Sequence, residues 1–127
     1  MHVATGGAIG ALAGSRARAL LLGVPAHLFA DRIPHQDIAS RRFEIASGVA
    51  CVALIAARRG PFDGATLGAL AASAPDLEHV FPALRPRGRK LFHGGRGWHR
   101  SGALPASHQL VLAGAIVGYL LGPKRAR

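Results

Sequence analysis

The chain has 127 residues, half of them apolar, and sets 16 Lys plus Arg against 6 Asp plus Glu for a formal charge of +10. That length accommodates one domain of ordinary size, and one cysteine, Cys51, excludes an internal disulfide and with it a disulfide-stapled secreted fold. Fourteen of the sixteen basic residues are Arg, which fits the codon bias of a GC-rich bacterial genome and also the use of Arg's planar fork wherever phosphate is bound.

Charged residues punctuate short apolar blocks, and the blocks predict an all-α bundle of four to five short hydrophobic helices, membrane-embedded or membrane-associated, with no convincing strand. In chain order the helices are expected at about 4–14, 17–32, 42–58, 62–80 and 103–121. The first begins too poor in Lys and Arg to be a signal peptide and is expected to be retained. The second, ALLLGVPAHLFA, follows Arg16 and Arg18, and the third lies between Arg41-Arg42 and Arg58-Arg59. The stretch 82–102 is rich in Gly, Pro and Arg, has no apolar period, and predicts a basic loop. The last block, residues 101–123, has 23 residues without a formal charge, the one stretch that reaches the ~20 needed to cross a bilayer core. Its Lys124-Arg125-Ala126-Arg127 tail favours a cytoplasmic C-terminus, although basic residues at nearly every junction leave the topology open. Glycines inside the helices (Gly7, Gly10, Gly14, Gly48, Gly68, Gly114 and Gly118) would weaken water-exposed helices but permit close approach between helices in a bilayer, with Gly114 and Gly118 as a small-xxx-small pair.

Acidic residues are few, and four of the six lie within four positions of a histidine. His27 and Asp31 share a helix face, and Pro34 is expected to end that helix so that His35 and Asp37 fold back toward it. In Pro75-Asp76-Leu77-Glu78-His79 the proline either kinks a helix or starts a short new one, with Asp76 and His79 adjacent on one turn. His93, His99 and His108 are further imidazoles, the last inside an apolar block; His2 is set aside as a terminal residue. Taken singly, each group has an ordinary structural explanation: a helix-end hydrogen bond for His27 and Asp31, turn chemistry for His35 and Asp37, dipole complementation for Asp76 and Glu78, a cap for His79, a basic loop for His93 and His99. Together, carboxylates and imidazoles concentrated this way are costly without a cation and make a divalent-metal site, zinc or manganese. An open position on such a metal suits hydrolysis.

These motifs resemble bacterial inner-membrane metal-dependent hydrolases, small His/Asp-rich membrane proteins with a Pro-Asp-x-x-His-like segment, a His-Arg-Gly-x-Thr-His-Ser box and a His-x-x-x-Asp segment on a hydrophobic helix. Pro75 to His79 is similar to the first, His99-Arg100-Ser101 to part of the second, and His27 with Asp31 to the third. In this chain the His27 segment precedes Pro75, and the Thr-His-Ser half of the box is absent. The resemblance implies a bacterial inner-membrane location and metal-dependent hydrolysis of a phosphoester or lipid-like substrate. His27, Asp31, His35, Asp76 and His79 are then the expected ligands of one or two metals, with His93 and His108 as additional ones. Asp37, Glu78 or His99 would serve as general base, and Arg87, Arg89, Arg96 and Arg100 would hold a phosphate. The alternative is a non-enzymatic membrane protein whose basic segments bind anionic lipid headgroups. A single-strand nucleic-acid platform built on Arg85 to Arg100 with Phe92 and Trp98 ranks below both, because half the chain is apolar.

Overall fold

The computed structural model describes residues 1–94 and 102–123. Within them the chain forms six α-helices and no named strand: α1 (His2–Leu12), α2 (Arg16–Ala30), α3 (Arg41–Arg59), α4 (Gly64–Ser73), α5 (Leu77–Val80) and α6 (Ala106–Leu121). The all-α expectation holds, with two changes of detail. The helix expected at 62–80 is two helices, because Pro75 has no N–H to continue the ladder and the Asp76 N–H turns to Ser73 O instead. The loop expected at 82–102 holds two short 3-10 turns, Pro82–Leu84 and Pro86–Gly88, each started by its proline.

Side-chain caps set the helix starts: Ser15 accepts from the Arg18 N–H, Ser40 from Phe43 and Asp63 from Ala65. Helices α1 and α4 run antiparallel with backbones almost touching, and glycine is what allows it. A Cβ on Gly10 would overlap the Gly64 carbonyl, and one on Gly68 would overlap that of Gly6. The approach seals the α1–α4 seam with almost no side-chain volume. Helix α2 lies against the other side of α4, where Gly23 meets Ala71 and Ala72. Across α1, Ile55 of α3 and Leu120 of α6 close over Gly7, completing a core of Ile55, Ala65, Ala69 and Leu120.

The start of α1, the ends of α2 and α4 and the beginning of α3 therefore meet at one pole of the bundle. At the opposite pole the guanidinium groups of Arg58 and Arg59 donate to the carbonyls of Leu121 (2.9 Å) and Leu120 (2.6 Å), closing the end of α6. Between the poles the surface is apolar: Leu21 is 74% exposed, Phe29 71%, Val49 65% and Val111 74%. The Gly114/Gly118 pair faces no neighbour among the described residues. Among the described residues, no helix is long and apolar enough to cross a membrane; the uncharged block 101–123 yields a helix of 16 residues.

Candidate metal centre

Three breaks in helical order build the site pole. Helix α2 ends at Ala30, leaving His27 on its last turn and Asp31 as its cap, one above the other at i and i+4. The break at Pro75 diverts the Asp76 N–H to Ser73, so the Ala72 carbonyl is free to accept a 2.7 Å hydrogen bond from His27 Nδ1. Glu78, on the short α5, is 3% exposed and gathers the returning chain. Its Oε2 accepts from the N–H groups of Leu91 (2.6 Å) and Phe92 (3.2 Å), and its Oε1 from the N–H (2.8 Å) and Nδ1 (2.7 Å) of His93. These four bonds hold the Glu78 carboxyl down to about 2: burial alone would raise it, and the His93 ring and the three backbone donors outweigh burial.

Both rings are thereby fixed in tautomer as well as position. A carbonyl and a carboxylate only accept, so Nδ1 carries the proton on His27 and on His93, and each Nε2 points inward. His27 Nε2 and His93 Nε2 are 3.2 Å apart, and Asp31 Oδ2 is 3.3 Å from the first and 3.2 Å from the second. Three acceptor atoms thus form a nearly equilateral triangle in a buried place. Without a metal, a proton on His93 relieves their repulsion: the Asp31 contact raises the His93 pKa, burial opposes, and Glu78 adds to the rise. Burial would raise Asp31 too, but the rings of His2, His27 and His93 hold it far below the usual carboxylate range.

Asp76 closes the outer side, with Oδ1 3.7 Å from His27 Nε2 and 3.8 Å from His93 Nε2 and a side chain that is 47% exposed. His79 packs edge-on to His93 at a centroid distance of 4.3 Å. Its pKa is lowered by burial first and then by the neighbouring His93 and Lys90. His2, set aside in the sequence, stands at the first position of α1, with Nε2 3.1 Å from Asp31 Oδ1 and its ring 3.9 Å from that of His27. Its Nδ1 is buried with no hydrogen-bond partner among the described residues. Among the described residues, three overlapping sets could each hold a cation: His2/His27/Asp76, His27/Asp31/His93 and Asp76/His79/His93.

Of the expected ligands, His27, Asp31, Asp76 and His79 come together, His93 joins them, and His35 does not. Rather than folding back onto α2, the 33–37 turn pairs with the stretch before α6: Gln36 N–H donates to Leu104 O, Gly102 N–H to His35 O, and Gln109 to Gln36 O. His35 Nδ1 is spent on its own turn, 2.6 Å from Ile33 O, and Asp37 is exposed beside it at 3.9 Å. His108 lies exposed on the first turn of α6. Glu78, expected as a general base, has both oxygens engaged and stands behind His93. Arg87 and Arg89 are exposed on the turns that lead to Lys90. His99, Arg96 and Arg100 lie outside the described residues. The sequence signal for His2 was available: small residues line one side of both α1 and α4, and pairing them antiparallel puts the start of α1 at the end of α4.

No protein-family model, curated protein or solved structure matches the chain.

Proposed function

We propose that the chain is a lipid-seated helical protein with a divalent-metal centre, zinc or manganese, that hydrolyses a phosphoester or similar anionic group at the membrane surface. The observation that carries the reading is the donor triangle. A tetrahedral zinc with ligands at 2.0–2.2 Å has ligand-to-ligand edges of about 3.3–3.6 Å, and the three edges here, 3.2, 3.2 and 3.3 Å, lie at or just below the short end of that range. Each imidazole is also backed on its remote nitrogen by an acceptor, the arrangement that orients metal-bound histidine. Three protein donors, His27, Asp31 and His93, would leave the fourth tetrahedral position to water, as a catalytic rather than a structural zinc requires, and the half-exposed Asp76, 3.7 and 3.8 Å from the two Nε2 atoms, stands on that outer side. A metal in this triangle would bring the pKa of such a water to roughly 7 and polarise a phosphoryl oxygen. Arg87, Arg89 and Lys90, on the segment that leads to His93, are basic residues that would favour an anionic substrate.

The lipid seat is supported by the arrangement of charge. On α3, Arg42 and Arg58 are separated by 16 residues, or about 24 Å of helix, and α6 carries no Lys, Arg, Asp or Glu. Glu44 lies inside that stretch, so the uncharged run of α3 is residues 45–57, about 20 Å; an apolar girdle of that height, bounded by charged residues, would be met by thinning of the ~30 Å hydrocarbon layer. In this setting the metal centre sits at the headgroup layer of one rim.

The test is elemental analysis of untagged protein extracted from membranes in detergent and dialysed against trace zinc or manganese, alongside Asp31→Asn and His93→Ala. Retained metal in the parent and its loss in both variants is expected, with metal-dependent cleavage of an aryl phosphodiester probe. A parent protein that holds no metal refutes the centre; a loaded protein inert toward phosphoesters refutes the assigned chemistry.

A further inference from the structure

Asp31 has two oxygens, and the cluster engages them differently. Oδ2 points between the two inward nitrogens, 3.3 Å from His27 Nε2 and 3.2 Å from His93 Nε2. Oδ1 faces the start of α1, where His2 Nε2 stands 3.1 Å away. A neutral imidazole meets a carboxylate oxygen favourably only through a protonated nitrogen, so His2 Nε2 carries the proton and donates to Oδ1. Nδ1, buried and without a hydrogen-bond partner among the described residues, offers nothing that would hold the proton there instead. The nitrogen that meets Asp31 is therefore not a metal donor. The other could join only the His2/His27/Asp76 set, which draws on the same free nitrogen of His27 that the triangle uses, since His27 Nδ1 is bonded to Ala72 O. His2 is placed to act on Asp31 rather than on the metal.

The fold holds the ring in that place. Close packing of Gly6 on Gly68 and Ala72 sets the start of α1 against the end of α4, and the Thr5 hydroxyl donates to the His2 carbonyl at 3.1 Å. The ring itself lies on that of His27, 3.9 Å between centroids and tilted by 35°.

With Oδ1 engaged by His2, Asp31 offers the triangle a single oxygen. Released, the carboxylate could turn Oδ1 toward the same ion and chelate it, filling the position that water takes in an open zinc site. We propose that His2 is the positioning residue of the centre: its Nε2–H holds the outer oxygen of Asp31 off the metal, so that three protein donors bind and the fourth position stays open to a small anion or a substrate oxygen. The inference rests on the metal reading above and deepens it.

Cobalt(II) in place of zinc reports its coordination in the visible spectrum, and azide is a small anion that takes an open position. The parent, His2→Gln, His2→Phe and His2→Ala are loaded with saturating cobalt, checked for one equivalent by elemental analysis, and titrated with azide. Gln keeps a donor near the place of Nε2, whereas Phe keeps a ring against His27 and loses the donor. The parent and His2→Gln are expected to change spectrum with azide. His2→Phe and His2→Ala are expected to hold one cobalt about 10- to 100-fold more weakly, to differ from the parent in spectrum before azide is added, and not to respond to it. Azide binding at parent affinity in both of these variants overturns the role of His2 while the metal site stands. A loaded parent that ignores azide overturns it as well, and so does a His2→Gln that behaves like His2→Phe. Loss of the cobalt from all three variants at saturating ion would make His2 a ligand and overturn it too. A parent that holds no metal defeats the metal reading itself and this inference with it.

Discussion

Glu78→Gln is the substitution that most directly probes how the centre is held. The carboxylate receives four hydrogen bonds, two on each oxygen, from three consecutive backbone N–H groups and the His93 ring. A glutamine keeps one oxygen; its NH2 must face either Leu91 and Phe92 or His93, donor against donor. Bonds to a charged acceptor contribute about 1.5–3 kcal/mol each, and the exposed Leu91 edge lets water recover part of the loss, so the metal-free protein should lose about 2–4 kcal/mol. The His93 ring loses its anionic backing at the same time, which should weaken metal binding by about 10- to 100-fold. The pH dependence gives a second handle. The Glu78 pKa falls from 4.5 to about 2 on folding, so its contribution is present above pH 4.5 and is lost as pH falls from 4.5 toward 2. That difference is worth on the order of 3 kcal/mol at most. Thermal melts of metal-free protein between pH 2 and 6, with chelator-competition titrations at neutral pH, measure both effects. Wild-type zinc affinity in Glu78→Gln, together with an unchanged acid limb of the melting curve, would show that Glu78 does not organise the site.

Gly10→Ala should destabilise by more than about 3 kcal/mol, since its Cβ overlaps the Gly64 carbonyl, whereas Gly114→Ala, with open space around it, should be neutral or stabilise by up to about 1 kcal/mol; equal melting shifts for the two would contradict the α1–α4 seam. His2→Ala should weaken zinc binding while His35→Ala and His108→Ala leave it unchanged, a contrast read from dissociation constants and reversed if the 33–37 turn supplies a ligand. His93, whose pKa is raised above 6.5, stabilises the metal-free protein fully below pH 6.5, and the effect is lost as pH rises through the raised value. Melting without zinc should therefore fall on the alkaline side and the zinc-induced rise should grow there, a trend that His93→Ala must abolish. Binding to anionic vesicles should persist in high salt, because the girdle is apolar; release by salt alone would point to basic residues as the only lipid contact.

Helical class and most members of the His/carboxylate cluster were legible in the sequence for a local reason. His27 and Asp31 are joined by one helical turn, and Asp76, Glu78 and His79 by one proline-started segment, so spacing alone placed them near one another. What spacing could not supply was the long-range partner of each group. His35 follows Pro34 and looked able to return to α2, yet backbone pairing of Gln36 with Leu104 takes the turn toward α6. Glu78 looked like a reactive acid because nothing local to it is a donor; its donors arrive from residues 91–93, thirteen to fifteen positions later. His2 was set aside because its place in the cluster depends on α1 lying antiparallel to α4, a tertiary fact whose sequence signal, glycines such as Gly10 and Gly68, lies outside the segments that carry the acidic residues of the cluster.

The character of the core would give a metal bound at the proposed centre a structural part as well as a chemical one. The buried apolar residues are largely alanine, Ala4, Ala19, Ala65, Ala69 and Ala72, with Ile55, Val117 and Leu120 as the larger ones, while many big side chains face outward. Alanine burial removes little apolar surface from water, so a bundle this small gains less from its core than its helix count suggests. The proposed function would add two other sources of stability. Lipid against the girdle would cover what the core leaves exposed. At the pole, His27 and Asp31 close α2, and His93 returns on the loop after α5, bonded to Glu78. A cation held by those three residues fastens the end of α2 to that loop, and His2 brings the start of α1 against Asp31, so binding free energy becomes folding free energy. The position of the centre follows from this: a metal placed mid-bundle would have to displace the glycine contacts that let α1 and α4 meet, whereas at the pole it ties together the ends that those contacts leave open.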